Sequence, residues 1–301
     1  MESAAARPVG NRGLLAVILA PVGSTIRFAR SSVLGAVALV ILLVVIFTAV
    51  FAELLAPHDP LEAFFSDLRN PPSTTYPLGT DFIGRDVLSR IIFGSRVTLL
   101  VAFVSISIGS GVGIIWGIMT GYLSGKFDLI TQRFLDVLMS FPTVILALLL
   151  LAALGAGITT VIIAISVVSI PNSTRITRSV ALTVSEMAYV EAARAIGASP
   201  RRIMILHIGP QCWAAAMVIA SAGLGVAIFA EAALSFLGLG IPPPTPTWGN
   251  MLGGVLSNLF RPPWWLVIFP GVAITITILA FNLLGDALRD YLDPRLRGKL
   301  Q

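Results

Sequence analysis

Residues 189–210 form a polar, basic stretch between two strongly apolar segments, and their types suit contact with another protein rather than the making or breaking of bonds. Good helix formers open the stretch. Gly197 then stands where a helix end favours a residue with a positive φ angle. Ser199 can cap a second helix, and Pro200 fits its first turn. The pattern predicts a helical hairpin within residues 185–210.

The side chains of this hairpin indicate a surface that faces water or a partner. Arg201 and Arg202 begin the predicted second helix, where the helix dipole disfavours cations. That placement is consistent with either an acidic partner or simple exposure. Ala192 and Ala193, on the first helix, are small enough for another surface to approach closely.

A carboxylate inside a membrane span is a functional candidate by default. Glu231 lies in the predicted span 211–237, about 20 residues and hence about 30 Å from the start of that span. This length places Glu231 close to the far interface, where water can reach it. Two roles stay open at this point, a structural hydrogen bond and a contact with a passing solute.

The sequence carries no recognisable catalytic motif. No Gly-x-x-x-x-Gly-Lys-[Ser/Thr] phosphate loop is present, because Gly125 and Lys126 are followed by Phe127. No nucleophile–base arrangement is visible, and the two histidines, His58 and His207, lie far apart in the sequence. We therefore expect this chain to hydrolyse no ATP and to hold no metal or cofactor of its own.

The composition indicates a membrane protein with several spans. Of its 301 residues, 56% are hydrophobic and 12% are charged, and the mean hydropathy is +0.92, whereas soluble domains carry about 25% charged residues. The net charge of +5 is expected of cytoplasmic loops and is weak evidence for binding of nucleic acid. The single cysteine, Cys212, excludes an internal disulfide and gives no metal-ligand spacing.

Six apolar segments are predicted to cross the lipid bilayer. For the first, 31–52, a signal peptide is the competing interpretation, but its length and its distance from the N-terminus favour an uncleaved anchor. The loop 53–96 ends in a stretch with one apolar face, which predicts a separate helix lying at the interface. The other spans are 97–122, a segment that follows a charged turn at 126–136 and ends near Leu154, 158–170 continuing through Pro171, 211–237 and 266–284.

An even number of spans places both ends of the chain on one side. The tails 1–30 and 286–301 and the hairpin then share that side, and residues 97–285 form a core of five spans. The side that holds the tails and the hairpin also takes in residues 122–136 and all of 171–210. Fifteen of the 20 Lys and Arg residues fall on that side, and this excess predicts that both termini and the hairpin are cytoplasmic. The basic residues on the other side are Arg69, Arg85, Arg90, Arg96 and Arg261.

The predicted spans contain three further signals. Glycines at every fourth residue of the second span make a groove where another backbone can approach closely, which suits either a seam between moving units or static packing. Pro142 predicts a kink in the third span. Arg175 and Arg178 share one helical face, and we expect them to bind acidic lipid or part of a partner. The glycines are Gly109, Gly113, Gly117 and Gly121.

The hairpin resembles the EAA loop found in the membrane subunits of ABC importers. Two residues depart from that pattern, since Gly209 replaces the usual leucine and His207 stands near the usual isoleucine. Both departures fall at the end of the motif. The residues that match are Glu191, Ala192, Ala193, Gly197 and Pro210.

Several segments between about residues 76 and 297 extend the resemblance. They are PLGTDFIGRDVLSR, YVEAARAIGASPRRI, AEAALSFLGLGIPPPTPTWG and FNLLGDALRDYLDPRLR, in that order. Together they resemble the C-type permease subunit of bacterial dipeptide and oligopeptide ABC importers. The resemblance implies an all-α polytopic protein of the bacterial plasma membrane, with the type I importer fold and an additional N-terminal span.

The resemblance also implies partners and site residues. It implies a heterodimer with a B-type permease, two cytoplasmic ATPase subunits that hold ATP and Mg²⁺, and an extracytoplasmic substrate-binding protein. This chain would then be a non-catalytic transport subunit. Relatives carry dipeptides, oligopeptides, nickel chelates, haem or glutathione, and we expect peptides here. The residues assigned to ATPase coupling are Glu191, Ala192, Ala193, Gly197, Ser199, Pro200, Arg201 and Arg202.

Two other classes of membrane protein are alternatives to an importer subunit. A stand-alone secondary transporter would carry mid-span charges and broken helices in paired halves, but such charges are scarce here and no half-to-half repeat is evident. A membrane scaffold without transport is the third class. Co-purification with an ATPase and a second permease would distinguish the importer from both.

Overall fold

The computed structural model describes residues 32–258 and 261–292. Within those ranges the chain is helical, and its single strand-like pairing is a bridge between Thr80 and Asp86. The predicted tail 1–30 and the last part of the tail 286–301 lie outside the described residues. The helices are α1 Val33–Val50, α2 Ala52–Leu55, α3 Val87–Leu123, α4 Gly125–Met139, α5 Thr143–Leu154, α6 Ile158–Ser185, α7 Ala188–Ala195, α8 Pro200–Ile203, α9 Gly209–Phe236, α10 Trp248–Asn258 and α11 Trp264–Leu292.

Among the described residues, five stretches of helix are long and apolar enough to cross a membrane. They are α1, α3, α6, the run Pro200–Phe236 and the part of α11 from Trp264 to Tyr291. The helices α4 and α5 meet the same criterion only as a pair, and they are bent by 89° relative to each other. Counted as one broken span, this pair raises the number to six. The predicted all-α polytopic architecture is confirmed.

The start of α3 differs from the prediction. Residues 87–96 form no separate interfacial helix, because α3 runs unbroken for 37 residues from Val87. The Asp86 carboxylate caps the helix by accepting a hydrogen bond of 2.9 Å from the Ser89 amide. At about 1.5 Å per residue the helix is roughly 55 Å long, well beyond the apolar thickness of about 30 Å. Its first turns therefore project from the span, and Arg90 in these turns is buried by the chain itself.

The segment before α5 also differs. Residues 126–136, predicted as a charged turn, belong to the helix α4. The predicted kink at Pro142 is a sharp break instead, and Pro142 adopts an extended conformation just before α5 begins. A proline lacks the amide proton of a helical residue and pushes the preceding residue out of helical geometry. The 89° bend lies at this point, between Met139 and Thr143.

The helices α3 and α6 pack closely along four of the glycines of α3, which recur at every fourth residue. A Cβ added to Gly113 would lie 2.5 Å from Cβ of Ser173, and one added to Gly117 would lie 2.6 Å from Cβ of Thr177. These distances are too short for any side chain, so glycine is required by space rather than by backbone angle. We call this contact the glycine seam; its four pairs are Gly109 with Ser169, Gly113 with Ser173, Gly117 with Thr177 and Gly121 with Ala181.

The α6 side of the glycine seam was not predicted, although its signal is present in the sequence. Small residues recur there at the same four-residue interval as the glycines. Hydroxyl groups add hydrogen bonds across the contact, since Ser166 Oγ donates to the Ser105 carbonyl at 3.1 Å and Ser173 Oγ lies 3.3 Å from Ser110 Oγ. Close backbones and polar small residues are the usual means by which helices associate in membranes.

We expect Gly113→Val to destabilise the protein by about 1–3 kcal/mol, since the added side chain would force α3 and α6 apart. Gly111 lies on the same helix, but a Cβ added there would meet nothing within 4 Å. Gly111→Val is thus a matched control with the same change of residue type. Thermal unfolding of both variants in detergent checks the prediction, and equal melting temperatures would contradict it.

Candidate functional site

The polar segment between α6 and α9 folds as the predicted helical hairpin. We call residues 186–203, which contain α7 and α8, the coupling hairpin. Gly197 adopts a φ angle of +81° between the two helices, and a Cβ added there would meet nothing within 4 Å. Glycine is favoured here by backbone angle alone. Ser199 begins α8, and its Oγ accepts a hydrogen bond of 3.4 Å from the Arg202 amide.

One face of the coupling hairpin packs against the ends of the spans. Val190, Ala193 and Ile203 form a buried cluster with Val184 of α6 and with Cys212 of α9. Ala193 is only 6% exposed, which corrects its predicted place among the docking residues. Its small side chain lets α7 lie close to the spans instead.

The opposite face of the coupling hairpin is exposed. Ile196, which the sequence analysis did not single out, is 86% exposed at the turn. Within the described chain, Glu191, Arg201 and Arg202 form no ion pair. This face therefore presents one exposed isoleucine beside charged side chains that form no ion pair within the described chain. The predicted docking residues on this face are Glu191, Ala192, Gly197, Ser199, Pro200, Arg201 and Arg202.

The coupling hairpin is joined to the spans in two different ways. Only Glu186 and Met187 separate α6 from α7, whereas α8 continues into α9 through a π-helical turn, Met204–Ile208. Pro210 follows within the first turn of α9 and cannot donate an amide proton to the helix, which fits a widened turn just before it. The rings of Tyr189 and His207 stack at 6.4 Å and join α7 to the π-helical turn.

The comparisons with known proteins agree with this arrangement of spans and hairpin. Residues 113–298 match the family model described as "Binding-protein-dependent transport system inner membrane component", and residues 24–72 match "N-terminal TM domain of oligopeptide transport permease C". The chain belongs to this family of inner-membrane transport components. It is therefore a multi-pass membrane subunit of a binding-protein-dependent transporter.

Two curated relatives extend the match over most of the permease. The di/tripeptide transport system permease protein DppC of Pseudomonas aeruginosa (strain UCBPP-PA14) is 40% identical over 266 residues, which cover 86% of this chain and 88% of the relative. The glutathione transport system permease protein GsiD of Escherichia coli O1:K1 / APEC is 40% identical over 273 residues, 90% of this chain and 89% of the relative.

A solved structure supports the fold of the permease. An inward-facing conformation of the MetNI methionine ABC transporter aligns with a TM-score of 0.57 at 18% identity, over 68% of this chain and 97% of that one. The shared part is the fold of an ABC importer permease. The predicted type I importer permease fold, with an additional N-terminal span, is confirmed.

Two ion pairs hold α4 of the permease against α6. Asp128 accepts from Arg178 through two oxygens, with Nε–Oδ1 at 2.6 Å and Nη2–Oδ2 at 2.5 Å, and Asp136 pairs with Arg175. Two parallel hydrogen bonds to one guanidinium are a strong, directional contact. The arginines expected to bind lipid or a partner are thus paired within the chain. Their acidic partners stand in the segment that was predicted to be a turn.

Within the described chain, Glu231 of the permease is not accessible to water. It is fully buried, and its carboxyl group accepts hydrogen bonds from Thr98 at 3.2 Å and from Ser235 at 2.8 Å. Ser235 Oγ in turn accepts from the Ile241 amide at 3.2 Å. The loop after α9 thus folds back over Glu231. Of the two roles left open, the observed contacts correspond to the structural hydrogen bond, which joins α3, α9 and this loop.

We expect Arg178→Asp to lower the stability of the permease by about 1–2 kcal/mol, since it removes two charge-assisted hydrogen bonds and places two acidic groups together. The exchange Asp128→Arg with Arg178→Asp should restore most of that loss. Thermal unfolding of both single variants and the double variant in detergent measures the coupling. A strictly additive double variant would contradict the prediction.

We expect Glu231→Leu to destabilise the permease by about 1–3 kcal/mol, because it leaves the buried hydroxyls of Thr98 and Ser235 without their acceptor. Glu231→Gln should cost less, since an amide oxygen still accepts one of the two bonds. Glu186→Leu, at an exposed glutamate, is the control and should stay within about 0.5 kcal/mol of the parent. Melting temperatures in detergent test this order, and equal effects of the two leucine variants would contradict it.

Proposed function

We propose that this permease imports peptides across the bacterial plasma membrane as one half of a heterodimeric translocation pathway. The observation that carries the proposal is the 40% identity to a di/tripeptide permease over 86% of the chain, together with the match at residues 24–72 to the N-terminal domain of an oligopeptide permease C. The second half of the pathway is a related B-type permease. An extracytoplasmic substrate-binding protein delivers the cargo.

Two cytoplasmic ATPase subunits drive the cycle in this proposal. They hold ATP and Mg²⁺, while this chain holds no cofactor and catalyses no reaction. Its termini and the coupling hairpin lie in the cytoplasm, an orientation that agrees with the excess of Lys and Arg on that side. The exposed face of the hairpin, with Glu191, Gly197, Arg201 and Arg202, sits in a cleft of one ATPase.

The covalent connections of the hairpin support a mechanical role. When ATP brings the ATPases together, the hairpin moves with the subunit that holds it. The continuous path from α8 through the π-helical turn carries that motion directly into α9, while the short link at 186–187 passes it to α6. Repacking of these two spans then switches the pathway between outward and inward access, which is the two-state element that coupling requires.

Glutathione is a second candidate cargo, because the similarly related permease GsiD of Escherichia coli O1:K1 / APEC is named for glutathione transport. Uptake into proteoliposomes distinguishes the two. The permease, its B-type partner, the ATPases and the binding protein are reconstituted with ATP, and uptake of labelled trialanine and of labelled glutathione is measured. ATP-dependent uptake of trialanine supports the proposed peptide import. Uptake of glutathione without uptake of trialanine would contradict peptide import and support glutathione as the cargo.

We expect Gly197→Val to reduce cargo uptake at least about tenfold while ATP hydrolysis and membrane insertion persist. The branched side chain disfavours the positive φ angle, so the turn that presents Ile196, Arg201 and Arg202 would change shape. Uptake and ATPase rates of the same proteoliposomes give the ratio of cargo moved to ATP consumed.

Gly125→Val is the matched control for this experiment. Gly125 also has a positive φ angle, +62°, and also has nothing within 4 Å of an added Cβ, but it stands at the start of α4 rather than in the coupling hairpin. Both variants place a branched side chain at a positive φ angle, so a loss of cargo moved per ATP in Gly197→Val alone identifies the coupling hairpin. An equal loss of uptake per ATP in both variants, or an unchanged ratio in Gly197→Val, would contradict the assignment.

A further inference from the structure

A cavity of about 400 Å³ lies between α3, α5, α6 and α9, in a part of the permease that the coupling hairpin does not involve. Clefts that hold small molecules have volumes of about 300–1,000 Å³. Most of the wall is aliphatic, and none of its lining residues is charged. The polar groups of the wall are hydroxyls and one amide, from Ser110, Thr143, Ser169, Asn172 and Ser173.

Asn172 is the unusual residue of this wall. It lies near the middle of α6, about 20 Å from each end. Its side chain is exposed in this chain, and within the described residues its amide makes no hydrogen bond. An unpaired amide is unfavourable in hydrocarbon. Asn172 is therefore expected to face water or a polar solute rather than lipid tails.

The polar face of α6 continues from Asn172 toward the coupling hairpin. Exposed polar residues follow at intervals of three and four positions, which places them along one side of the helix. They are Arg175, Ser179 and Thr183. The glycine seam occupies another side of α6, where Ser173 and Thr177 are buried. The cavity thus opens onto a polar track that runs to the end of the helix from which the hairpin starts.

The chemistry of the cavity matches the peptide bond. Each peptide unit offers one N–H donor and one carbonyl acceptor, and an asparagine side chain offers one amide donor group and one carbonyl acceptor. The hydroxyl groups can likewise both donate and accept a hydrogen bond. A wall without charge can form hydrogen bonds with these backbone groups and does not favour peptides with acidic side chains over peptides with basic ones.

We propose that this cavity is a cargo subsite in which Asn172 pairs with the backbone amide of a passing peptide, and that the absence of charge there makes the subsite tolerant of peptide charge. The proposal rests on the peptide function proposed above and names the group that cargo meets inside the membrane. An apolar contact with the second permease would explain the aliphatic wall, but it would leave the amide of Asn172 unpaired.

Opposite charges introduced at Asn172 test the proposal. The probes are labelled Ala-Ala-Ala, Ala-Lys-Ala and Ala-Glu-Ala, taken up by proteoliposomes that contain the complete complex and its binding protein. Relative to Ala-Ala-Ala, Asn172→Asp should raise uptake of the lysine peptide about fivefold and lower uptake of the glutamate peptide about fivefold, the size expected for one charge about 4 Å away in a water-filled path. The ratio of the two charged peptides should therefore rise about 25-fold. Asn172→Lys should shift the same ratio in the opposite direction. Asn172→Leu should lower uptake of all three, and Asn172→Gln should restore it.

Asn282 provides the matched control. It is an exposed asparagine in the span α11 that does not line the cavity, so Asn282→Asp should leave the ratio of the two charged peptides unchanged. If wild type imports none of the three peptides, the peptide function is overturned and the subsite with it. If wild type imports them but the charge variants keep its ratio, or Asn282→Asp shifts the ratio equally, only the subsite is overturned.

A labelling experiment checks water access independently of uptake. Cys212 is the single cysteine of this chain and is buried, so Cys212→Ala leaves the permease itself without a thiol, and labelling is read on the permease band after the subunits are separated. In that background, Asn172→Cys should react with a negatively charged methanethiosulfonate at least about tenfold faster than Leu43→Cys, because an ionised reagent does not enter hydrocarbon. Leu43 is the control, an exposed apolar residue near the middle of α1. Equal rates at the two positions would overturn the proposal.

Discussion

Along one side of α3, four glycines remove the side chains that would hold α6 at the usual distance of about 8–10 Å between helix axes. The backbones meet instead, and small residues of α6 fill the groove between them. Hydroxyl groups of Ser166 and Ser173 reach across the same contact. The position of α6 follows from this contact, and α6 carries both the cavity wall and the start of the coupling hairpin.

One side of α6 packs against α3, and the other sides of α6 make different contacts. Arg175 and Arg178 hold α4 beside the end of the span. Asn172 faces the cavity. The coupling hairpin begins directly after the end of α6, and two residues separate α6 from α7. A displacement of the hairpin therefore reaches the cavity wall through one helix, while the π-helical turn gives α9, the opposite wall, a second connection.

The sequence predicted those features that depend on local chemistry. Gly197 and Ser199 act at a helix end as expected, because the preference for a positive φ angle and the capping oxygen are properties of the residues themselves. The spacing of the four glycines is likewise visible in the sequence, and it predicted a groove on one side of the helix. The segment 126–136 was wrongly predicted as a turn because its charged residues were taken as a sign of a loop. In the structure, Asp128 and Asp136 lie on the side of α4 that faces α6 and pair with its arginines. The segment as a whole is helical.

Other features depend on contacts that no local pattern contains. The depth of Glu231 was estimated from helix length alone, which places it at the far interface. The loop after α9 returns over this residue and excludes water, and that return is held by Ser235 and Ile241. Ala193 was assigned to the docking surface by its motif, but its direction on α7 places it in the buried cluster. In both cases the tertiary neighbours decide which side of an element is covered.

The π-helical turn at Met204–Ile208 has a geometric consequence for the charged face beside it. Such a turn contains one residue more than an α-helical turn, and one residue corresponds to about 100° around the axis. A helical wheel drawn straight through residues 200–236 would therefore assign the wrong azimuth to one of its ends. During evolution, the gain or loss of a single residue at this point would swing Arg201 and Arg202 around the axis while leaving the apolar surface of α9 in register with its neighbours.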